Sequence, residues 1–363
     1  MQLRSRRQRH KTALLEEEQG STTLYASGVV ALLWTSLQLV AARAPTSRLS
    51  RRRLHVSPRQ FKAVFRFTEL EVDTILPYLC LPMMIKTAAG DLCSAKTAFL
   101  YTLAYLGGAS LVRIEHIFGR SYTSAHRIIK ATIRLIFSQW SHLIHVRQAH
   151  EGHLRRVRLS QLADALAAFG CPSKRVWGFL DGTVRPIARP KRGQRTFYNG
   201  HKRTHAIKFQ ILTTPDGLVW VDGPFRGPRH DSMMLKATRL HQWLDDHSKR
   251  PNGRKFFLFA DKGYAARGLL MVPFKGNNTI AAQRQYNVAM SRIRVEVEHA
   301  IGWITKTFPR FDSKRLQRVL LSPLGKEYKV AVILVNALSC LSGNQTSVRF
   351  GCDPPSLDSY FVP

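Results

Sequence analysis

The segment that decides the fold is Phe179-Leu180-Asp181-Gly182-Thr183, in which an apolar strand runs directly into an acid followed by glycine. A carboxylate at the end of a core strand costs free energy unless a charge or ligand compensates it. The same arrangement recurs at 257–264, FLFADKGY, where four apolar residues precede Asp261. Asp181-Gly182 is a common turn dipeptide, and Asp261-Lys262-Gly263 is also typical of a turn, so either segment alone is explained as well by a turn. Two such strands ending at one edge of a sheet would place two oxygen ligands around one cation.

A predicted helix at 283–307 supplies the third acid. Glu296 and Glu298 lie roughly 160° apart on this helix, so only one of them can face the sheet. Glu298 lies on the polar border of the apolar stripe, whereas Glu296 points to solvent. Arg294, one turn earlier, is placed to orient Glu298 or to bind a phosphate. The stripe consists of Met290, Ile293, Val297, Ile301 and Ile304, and the border of Asn287, Ser291, Arg294 and Glu298.

The three acids are separated by 80 residues, from Asp181 to Asp261, and by 37 residues, from Asp261 to Glu298. Strand, strand and helix each contribute one carboxylate. Such a site can hold two divalent cations about 4 Å apart, one activating the attacking water or hydroxyl and the other stabilising the leaving oxygen. Because all the ligands are oxygens, we expect Mg²⁺ or Mn²⁺.

The surrounding sequence predicts a mixed α/β domain at 176–342. Short apolar or alternating runs rich in Val, Ile and Phe indicate strands. Helical spacing indicates intervening and following helices. A polar connector at 146–175 with one helix, at 160–169, precedes this domain, and a tail at 343–363 follows it. The predicted strands are 176–180, 206–212, 218–221 and 256–260, and the helices of the domain are 230–244, 283–307 and 327–341.

Residues 56–145 form a predicted all-helical region, because apolar residues recur three and four apart. A short helix at 111–118, a turn at 119–121 and a longer basic helix at 123–137 have the outline of a helix-turn-helix. A helical hairpin that packs on the next domain explains the same pattern. In the first interpretation the second helix presents Thr123, Ser124, His126, Arg127 and Lys130 to DNA, with Arg127 and Lys130 as the main cations.

The formal net charge of +33, from 56 Lys and Arg against 23 Asp and Glu, indicates a polyanionic partner. Nucleic acid is the leading candidate, although ribosomal proteins and proteins of anionic membranes share such a charge. Five scattered cysteines without a CxxC pair favour a reduced intracellular compartment over a disulfide framework.

Residues 1–55 are interpreted as a basic and apolar leader that is poorly ordered. The run 20–42 lacks charged residues and follows basic residues, as in a signal anchor. Its Ser, Thr and Gln residues, and the acids at 16–18, argue against a membrane span. We therefore expect no membrane insertion.

Six motifs in order make the region 176–341 similar to transposases and transposase-derived nucleases of the PIF/Harbinger superfamily, relatives of the bacterial IS5 group. The motifs are Leu180-Asp181-Gly182-Thr183, Tyr198-Asn199-Gly200-His201-Lys202, Gly227-Pro228-Arg229-His230-Asp231-Ser232, Ala260-Asp261-Lys262-Gly263-Tyr264, Pro273-Phe274, and Asn287 with the segment 294–302.

This resemblance implies an RNase H-like core of the DDE type, a mixed sheet flanked by helices, with Asp181, Asp261 and Glu298 as its acids. It further implies a nuclear enzyme that cuts DNA at transposon ends, leaving a 3′-hydroxyl that attacks target DNA. A separate Myb-like DNA-binding protein and further copies of the same chain, as a homo-oligomer, are the protein partners considered. The competing interpretation is a host-adopted, catalytically silent DNA-binding or scaffolding protein, since the charge suffices for binding without chemistry.

The remaining polar residues of these motifs are predicted to support the site. Asp231 is expected to cap the following helix or to orient other groups, with direct metal contact as the alternative. Asn287 belongs to the same supporting group. Lys202, Arg203 and Lys208 are expected to contact phosphates beside Asp181, or to form a solvated edge strand. Lys262 either steadies the scissile phosphate or is an ordinary surface lysine.

Overall fold

The first part of the structure is helical and contains one small β-hairpin. The computed structural model describes residues 57–148, 153–249, 253–264, 268–276, 279–319 and 321–362, without the side chains of Arg156, Glu296 and Val297. The leader at 1–55 with its uncharged run 20–42 lies outside these residues. The hairpin was not predicted, because strands of three residues are too short to show alternation. In chain order the elements are α1 (Pro58–Phe65), α2 (Glu69–Ile75), β1 (Met84–Lys86), β2 (Leu92–Ser94), α3 (Ala95–Leu106), α4 (Leu111–Phe118) and α5 (Tyr122–Trp140).

These helices begin at residues whose hydroxyl groups accept a hydrogen bond from the first helical turn, which satisfies one of the free N–H groups there. The pair α4 and α5, joined by a turn at 119–121, is confirmed where the sequence predicted it. Gly119 ends α4 in the left-handed conformation with φ of 68°. The capping residues are Ser57, Thr68, Ser94, Ser110 and Ser121.

A mixed six-stranded sheet forms the second part. Its strands are β3 (Val176–Pro186), β4 (Tyr198–Asn199), β5 (Thr204–Thr213), β6 (Val219–Arg226), β7 (Phe257–Ala260) and β8 (Leu270–Met271). β5 pairs antiparallel with both β3 and β6, and β4 adds a short bridge at the start of β5. β7 pairs parallel with β3, and β8 parallel with β7. The four predicted strands are therefore confirmed, whereas β4 and β8, with two residues each, were not predicted.

The first sheet strand is longer than its apolar run. β3 continues past Leu180 because Asp181 to Pro186 remain paired with β5, with Asp181 opposite Ile211. In the parallel pair, Leu180 lies opposite Ala260, so Asp181 within β3 and Asp261 just beyond β7 are neighbours. Register thus places both acids at the same level of the sheet.

Helices cover both sides of the sheet. Phe209 of β5 stacks on Tyr328 with ring centroids 4.3 Å apart, which docks α11 on the sheet. The predicted single helix at 230–244 is instead two helices, broken at Arg239, whose φ is 52°. The helices are α6 (Arg156–Ala168), α7 (Gln194–Phe197), α8 (Asp231–Thr238), α9 (Leu240–His247), α10 (Ala281–Thr307), α11 (Leu324–Ser342), α12 (Gln345–Phe350) and α13 (Leu357–Tyr360). Among the described residues, no helix is both long and apolar enough to cross a bilayer.

The segment after α11, predicted to be a tail, is part of the folded core. Leu357, Tyr360 and Phe361 are buried. The amide of Asn336 on α11 donates a hydrogen bond to the Tyr360 hydroxyl at 3.2 Å. The prolines in this segment suggested a tail, but the aromatic residues that follow them supply the apolar surface that folds it back.

A buried ionic network joins the helical part to the sheet part. Arg310 and Glu327 are 4% and 1% exposed and pair at 3.2 Å. The hydroxyl of Tyr105 on α3 donates to Glu327 at 3.0 Å, and the Arg310 guanidinium lies 3.7 Å from the Tyr105 ring centroid. Arg310 also donates to the Leu316 carbonyl. Because each charge has several partners, the network offsets the cost of removing it from water.

Removal of one partner from this network is therefore expected to destabilise the fold strongly. Glu327→Ala should lower the free energy of unfolding by about 3–5 kcal/mol, since Arg310 would remain as a buried unpaired charge. Urea denaturation followed by circular dichroism measures the change. The control is Lys96→Ala, which breaks a surface pair with Asp73 at 2.6 Å and should cost less than about 1 kcal/mol.

The double variant Arg310→Met/Glu327→Leu removes both charges and should recover much of the loss. A small effect of Glu327→Ala, similar to that of Lys96→Ala, would show that the network does not stabilise the junction.

Candidate active site at the strand ends

Asp181, in the middle of β3, and Asp261, directly after β7, lie side by side because the parallel register places Leu180 opposite Ala260. The Asp181 side chain is only 25% exposed. Its Oδ1 accepts a hydrogen bond from the Gly182 N–H at 2.7 Å. The structure thus brings together the two strand acids that the sequence singled out.

Asp181 is held in an environment that disfavours its charged form. Burial raises the pKa of Asp181 to about 6, and the nearby carboxylates of Asp261 and Asp231 contribute to the rise. The Gly182 N–H and the Arg294 guanidinium act in the opposite direction. An additional cation beside Asp181 would stabilise its charged form. A carboxyl group with a raised pKa of this kind is typical of a functional site.

Arg294 on α10 connects the third acid to Asp181. Its Nη2 lies 2.7 Å from Glu298 Oε1, and its Nη1 lies 3.5 Å from Asp181 Oδ2. Glu298 is 52% exposed, so it borders the cleft instead of entering the core. The predicted apolar stripe is buried at Met290, Ile293, Ile301 and Ile304, whereas the side chains of Val297 and Glu296 lie outside the described residues.

Asp231 lies on the opposite face of β3 from Asp181. A Cβ added at Gly182 would meet Asp231 Oδ1 at 2.7 Å, and one at Gly263 would meet Oδ2 at 2.8 Å. Side chains alternate along a strand, so Asp181 points to the other face, where Arg294 contacts it. The two glycines are therefore required for Asp231 to fit between the strand ends. This carboxylate buttresses the segments that carry Asp181 and Asp261.

Around Asp231, one of the two roles offered for this residue, helix capping, is wrong, and so is the phosphate contact predicted for Lys208. Asp231 does not cap α8, because His230 occupies the N-cap position and no side chain bonds there. Lys208 does not form a free phosphate contact, since it is buried and its Nζ donates to Asp231 at 2.7 Å and to the Arg229 carbonyl at 2.9 Å. A lysine in the middle of the apolar strand β5 was the available signal, because such a lysine is rarely buried without a partner.

Tyr264 is a residue of this region to which the sequence had assigned no role. Its side chain is 1% exposed, and its hydroxyl has no hydrogen-bond partner among the described residues. Burial raises the pKa of Tyr264 well above its ordinary value, and the charges of Asp231, Asp181 and Asp261 add to this rise. The tyrosine is therefore part of the packed interior next to these three acids.

The donor chemistry of the site suits a hard divalent cation. Carboxylate oxygens are the ligands that Mg²⁺ and Mn²⁺ prefer. Within the described residues, no three Asp, Glu, His or Cys side chains are close enough to share one ion. The guanidinium of Arg294 bridges Asp181 and Glu298 instead, so a positive charge already stands between them. The carboxylates fit a cation that competes with Arg294.

Other predicted residues are placed differently. The Asn287 amide makes both of its hydrogen bonds to the Phe274 backbone, at 2.9 and 3.1 Å, so its contacts hold that loop and not the acids. Lys262, Lys202 and Arg203 are exposed, as phosphate contacts require. Lys262 directly follows Asp261 in the chain, and the other two lie in the turn before β5.

The turn of the β1–β2 hairpin contacts one side of the start of α5. Arg127 pairs with Asp91 at 2.6 Å, and the Ser124 hydroxyl donates to the same carboxylate at 2.6 Å. Lys130 is half-buried. Because Asp91 occupies Arg127 and Ser124, the packed helical hairpin describes this region better than a helix free to enter a DNA groove.

Comparison with known proteins gives two findings. Residues 180–336 match the family model for DDE superfamily endonucleases. The chain is also similar to the probable transposase for insertion sequence element IS702 of Microchaete diplosiphon, with 29% identity over 140 residues. That alignment covers 35% of this chain and 46% of the relative, so the chain spans about half of that relative's length. No solved structure matches significantly.

The raised pKa of Asp181 has a consequence for stability. Its ordinary value is 3.8 and its value in the fold is about 6, so the ionised form disfavours the folded state above pH 6. Asp181→Asn should therefore raise the free energy of unfolding at pH 7.5 by about 1–3 kcal/mol. At pH 4 the folded-state carboxyl is protonated and the unfolded-state one is only partly ionised, so most of the gain should vanish.

Urea denaturation at pH 7.5 and at pH 4 measures this difference. Asp246→Asn, at an exposed position of α9, is the matched control and should change stability little at either pH. A gain independent of pH would show that the charge of Asp181 is not its origin.

Proposed function

We propose that this chain is a divalent-metal-dependent DNA endonuclease and transposase, which hydrolyses phosphodiester bonds at transposon ends. The proposal rests on the placement of three acids. Strand register sets Asp181 beside Asp261, and Arg294 contacts both Asp181 and Glu298. All three acids lie inside the segment similar to DDE endonucleases. The similarity to a probable transposase supports the same reaction class.

The sheet topology supports assignment of an RNase H-like core. Three antiparallel strands, β6, β5 and β3, are followed by two parallel strands, β7 and β8. Asp181 lies on the central strand, β3, and Asp261 directly follows its parallel neighbour, β7. The six sequence motifs favour the PIF/Harbinger branch of these enzymes.

Asp181, Asp261 and Glu298 would hold the metal, as one or two ions of Mg²⁺ or Mn²⁺. A bound ion of this kind lowers the pKa of water to give a nucleophile and stabilises the leaving oxygen. Arg294 keeps two of these carboxylates together before the cation binds, and its guanidinium is then free to bind a phosphate. Asp231, fixed by Lys208, positions the two strand ends. The exposed Lys262 steadies the scissile phosphate from beside Asp261.

The wider activity is proposed from the resemblance. The 3′-hydroxyl left by cleavage would join target DNA, in the nucleus, with a Myb-like protein and further copies of this chain as partners. The net charge of +33 supports binding to DNA phosphates. Exposed Lys202 and Arg203 supply cations near the start of β5.

Cleavage should depend on all three acids. The purified full chain, incubated with Mg²⁺ or Mn²⁺ and DNA bearing the inverted repeats that flank the gene, should nick that DNA and stop when EDTA is added. Asp181→Asn, Asp261→Asn and Glu298→Gln should each reduce the rate on the order of 100-fold or more, since even indirect metal-site partners cost about 10–100-fold. Gel electrophoresis of end-labelled DNA measures the rate.

Asp246→Asn is the matched control and should cut like the wild type. Full activity of Asp181→Asn would refute the assignment. A wild-type chain that binds DNA but never cuts it, together with a gene that lacks flanking repeats, would instead support the host-adopted DNA-binding protein.

The cleavage rate should also depend on pH. Asp181 must be ionised to bind a cation, and its pKa of about 6 means that the ionised fraction rises steeply from pH 5 to pH 7. At subsaturating Mg²⁺ we expect the rate to rise over this interval, and higher Mg²⁺ should move the midpoint to lower pH. A rate that is flat from pH 5 to pH 7 at every Mg²⁺ concentration would contradict this role of Asp181.

A further inference from the structure

A cavity of about 460 Å³ lies away from the three acids, at the start of β5. Its volume falls within the range of ligand-binding sites, roughly 300–1,000 Å³. The residues that line it are polar, cationic and aromatic, namely Arg189, Gln194, Arg195, Tyr198 and His205. Four of these five belong to a single stretch of α7, β4 and β5. Tyr198 is also the first residue of the Tyr198–Lys202 motif, and the proposed mechanism gives Tyr198 no role.

The aromatic wall of the cavity is held by strand pairing. Tyr198 and His205 are opposite each other in the β4–β5 pair, and their rings meet edge to face with centroids 5.4 Å apart. Tyr198 nevertheless remains 44% exposed. Asn199 is buried and fixes the turn, since its amide donates to the Gly227 carbonyl and its Oδ1 accepts from the Lys202 N–H. The Tyr198 ring is therefore presented to solvent on a rigid support.

Two arginines also line the cavity. Arg189 Nε donates to Gln194 Oε1 at 3.0 Å, which fixes the loop that enters α7. Arg195 is exposed and has no hydrogen bond or ion pair with any described residue. No Asp or Glu occurs from residue 182 to residue 215, whereas this stretch contains eight Lys or Arg residues. An anionic ligand is therefore strongly favoured at this position.

The cavity faces the same side of the sheet as the first acid. His205 and Ile211 are an even number of residues apart on β5, so their side chains project from one face. Asp181 is the cross-strand partner of Ile211. Six residues of strand separate the two positions, which corresponds to roughly 20 Å. This distance equals about six nucleotide steps at 3.4 Å each along a B-DNA strand.

From these observations we infer that the cavity binds an unpaired nucleotide of single-stranded DNA, with the base stacked on Tyr198 and the phosphate held by Arg195 and Arg189. An exposed aromatic ring with cations nearby is an arrangement that recognises single strands, because every base can stack on the ring and every phosphate carries a negative charge. The choice of DNA over other single strands rests on the proposed function. The site would hold a strand whose pairing is lost near the point of cleavage.

Binding measurements with the uncut complex test this inference. The full chain carrying Asp181→Asn is titrated, without metal, into a fluorescein-labelled single-stranded 20-mer and into the matching duplex, and anisotropy is recorded. Adding Tyr198→Leu should weaken single-strand binding about 5- to 150-fold, the range expected for loss of one stacked base. Tyr198→Phe retains the ring and should bind within about twofold of the parent. Arg195→Gln should weaken binding and flatten its salt dependence.

The matched control is Tyr122→Leu, which removes an equally exposed tyrosine, 53% accessible, from α5. It should leave single-strand binding unchanged. Ultraviolet crosslinking of a 20-mer that contains 5-iodouracil, followed by peptide mass spectrometry, should place the crosslink on Tyr198. Circular dichroism of each variant shows that the fold is intact.

Three outcomes would overturn the inference. Tyr198→Leu would bind single strands like Tyr122→Leu, or it would weaken duplex binding as much as single-strand binding, or the crosslink would lie elsewhere. Because no step of the assay requires cleavage, a failure of the endonuclease proposal leaves these results unaffected. Conversely, normal metal-dependent cutting with unaltered binding by Tyr198→Leu would refute only the cavity assignment.

Discussion

The arrangement of the site depends on an unfavourable feature, a largely buried carboxylate in the middle of the central strand. Asp181 is ionised at neutral pH only at a cost, because burial and two neighbouring acids raise its pKa to about 6. The surrounding residues limit that cost in a specific way. The Gly182 N–H and Arg294 stabilise the charge from one face, while Lys208 neutralises Asp231 on the other. This part of the strand is thus stable, but it retains an attraction for a further cation.

The same part of the strand explains why two glycines follow the acids. At Gly182 and Gly263 a side chain would collide with the Asp231 carboxylate, which fits between the two segments. The Asp-Gly dipeptide therefore does not mark a turn at Asp181, where the strand continues to Pro186. It marks a place where a carboxylate from another element approaches the backbone.

The sequence predicted the features that depend on local periodicity. Apolar runs located the strands, and helical phase distinguished Glu298 from Glu296 because a buried stripe constrains which side chains face the sheet. Features that depend on partners distant in the chain were not predictable. Lys208, in an apolar strand, indicated a buried partner but not that the partner is Asp231. Arg127 gave no indication of its pairing with Asp91, and the folded segment around Tyr360 looked like a tail. Each of these residues took its role from a contact that periodicity does not encode.

The buried network of Tyr105, Arg310 and Glu327 links the helical part of the chain to the helix that carries Glu298, since Arg310 follows α10 by only three residues. A flexible linker would let the two parts explore many separations. Here the ionic contacts fix one separation. The surface of the helical part and the three acids therefore keep a constant distance from each other, and a ligand long enough to touch both is measured against that distance.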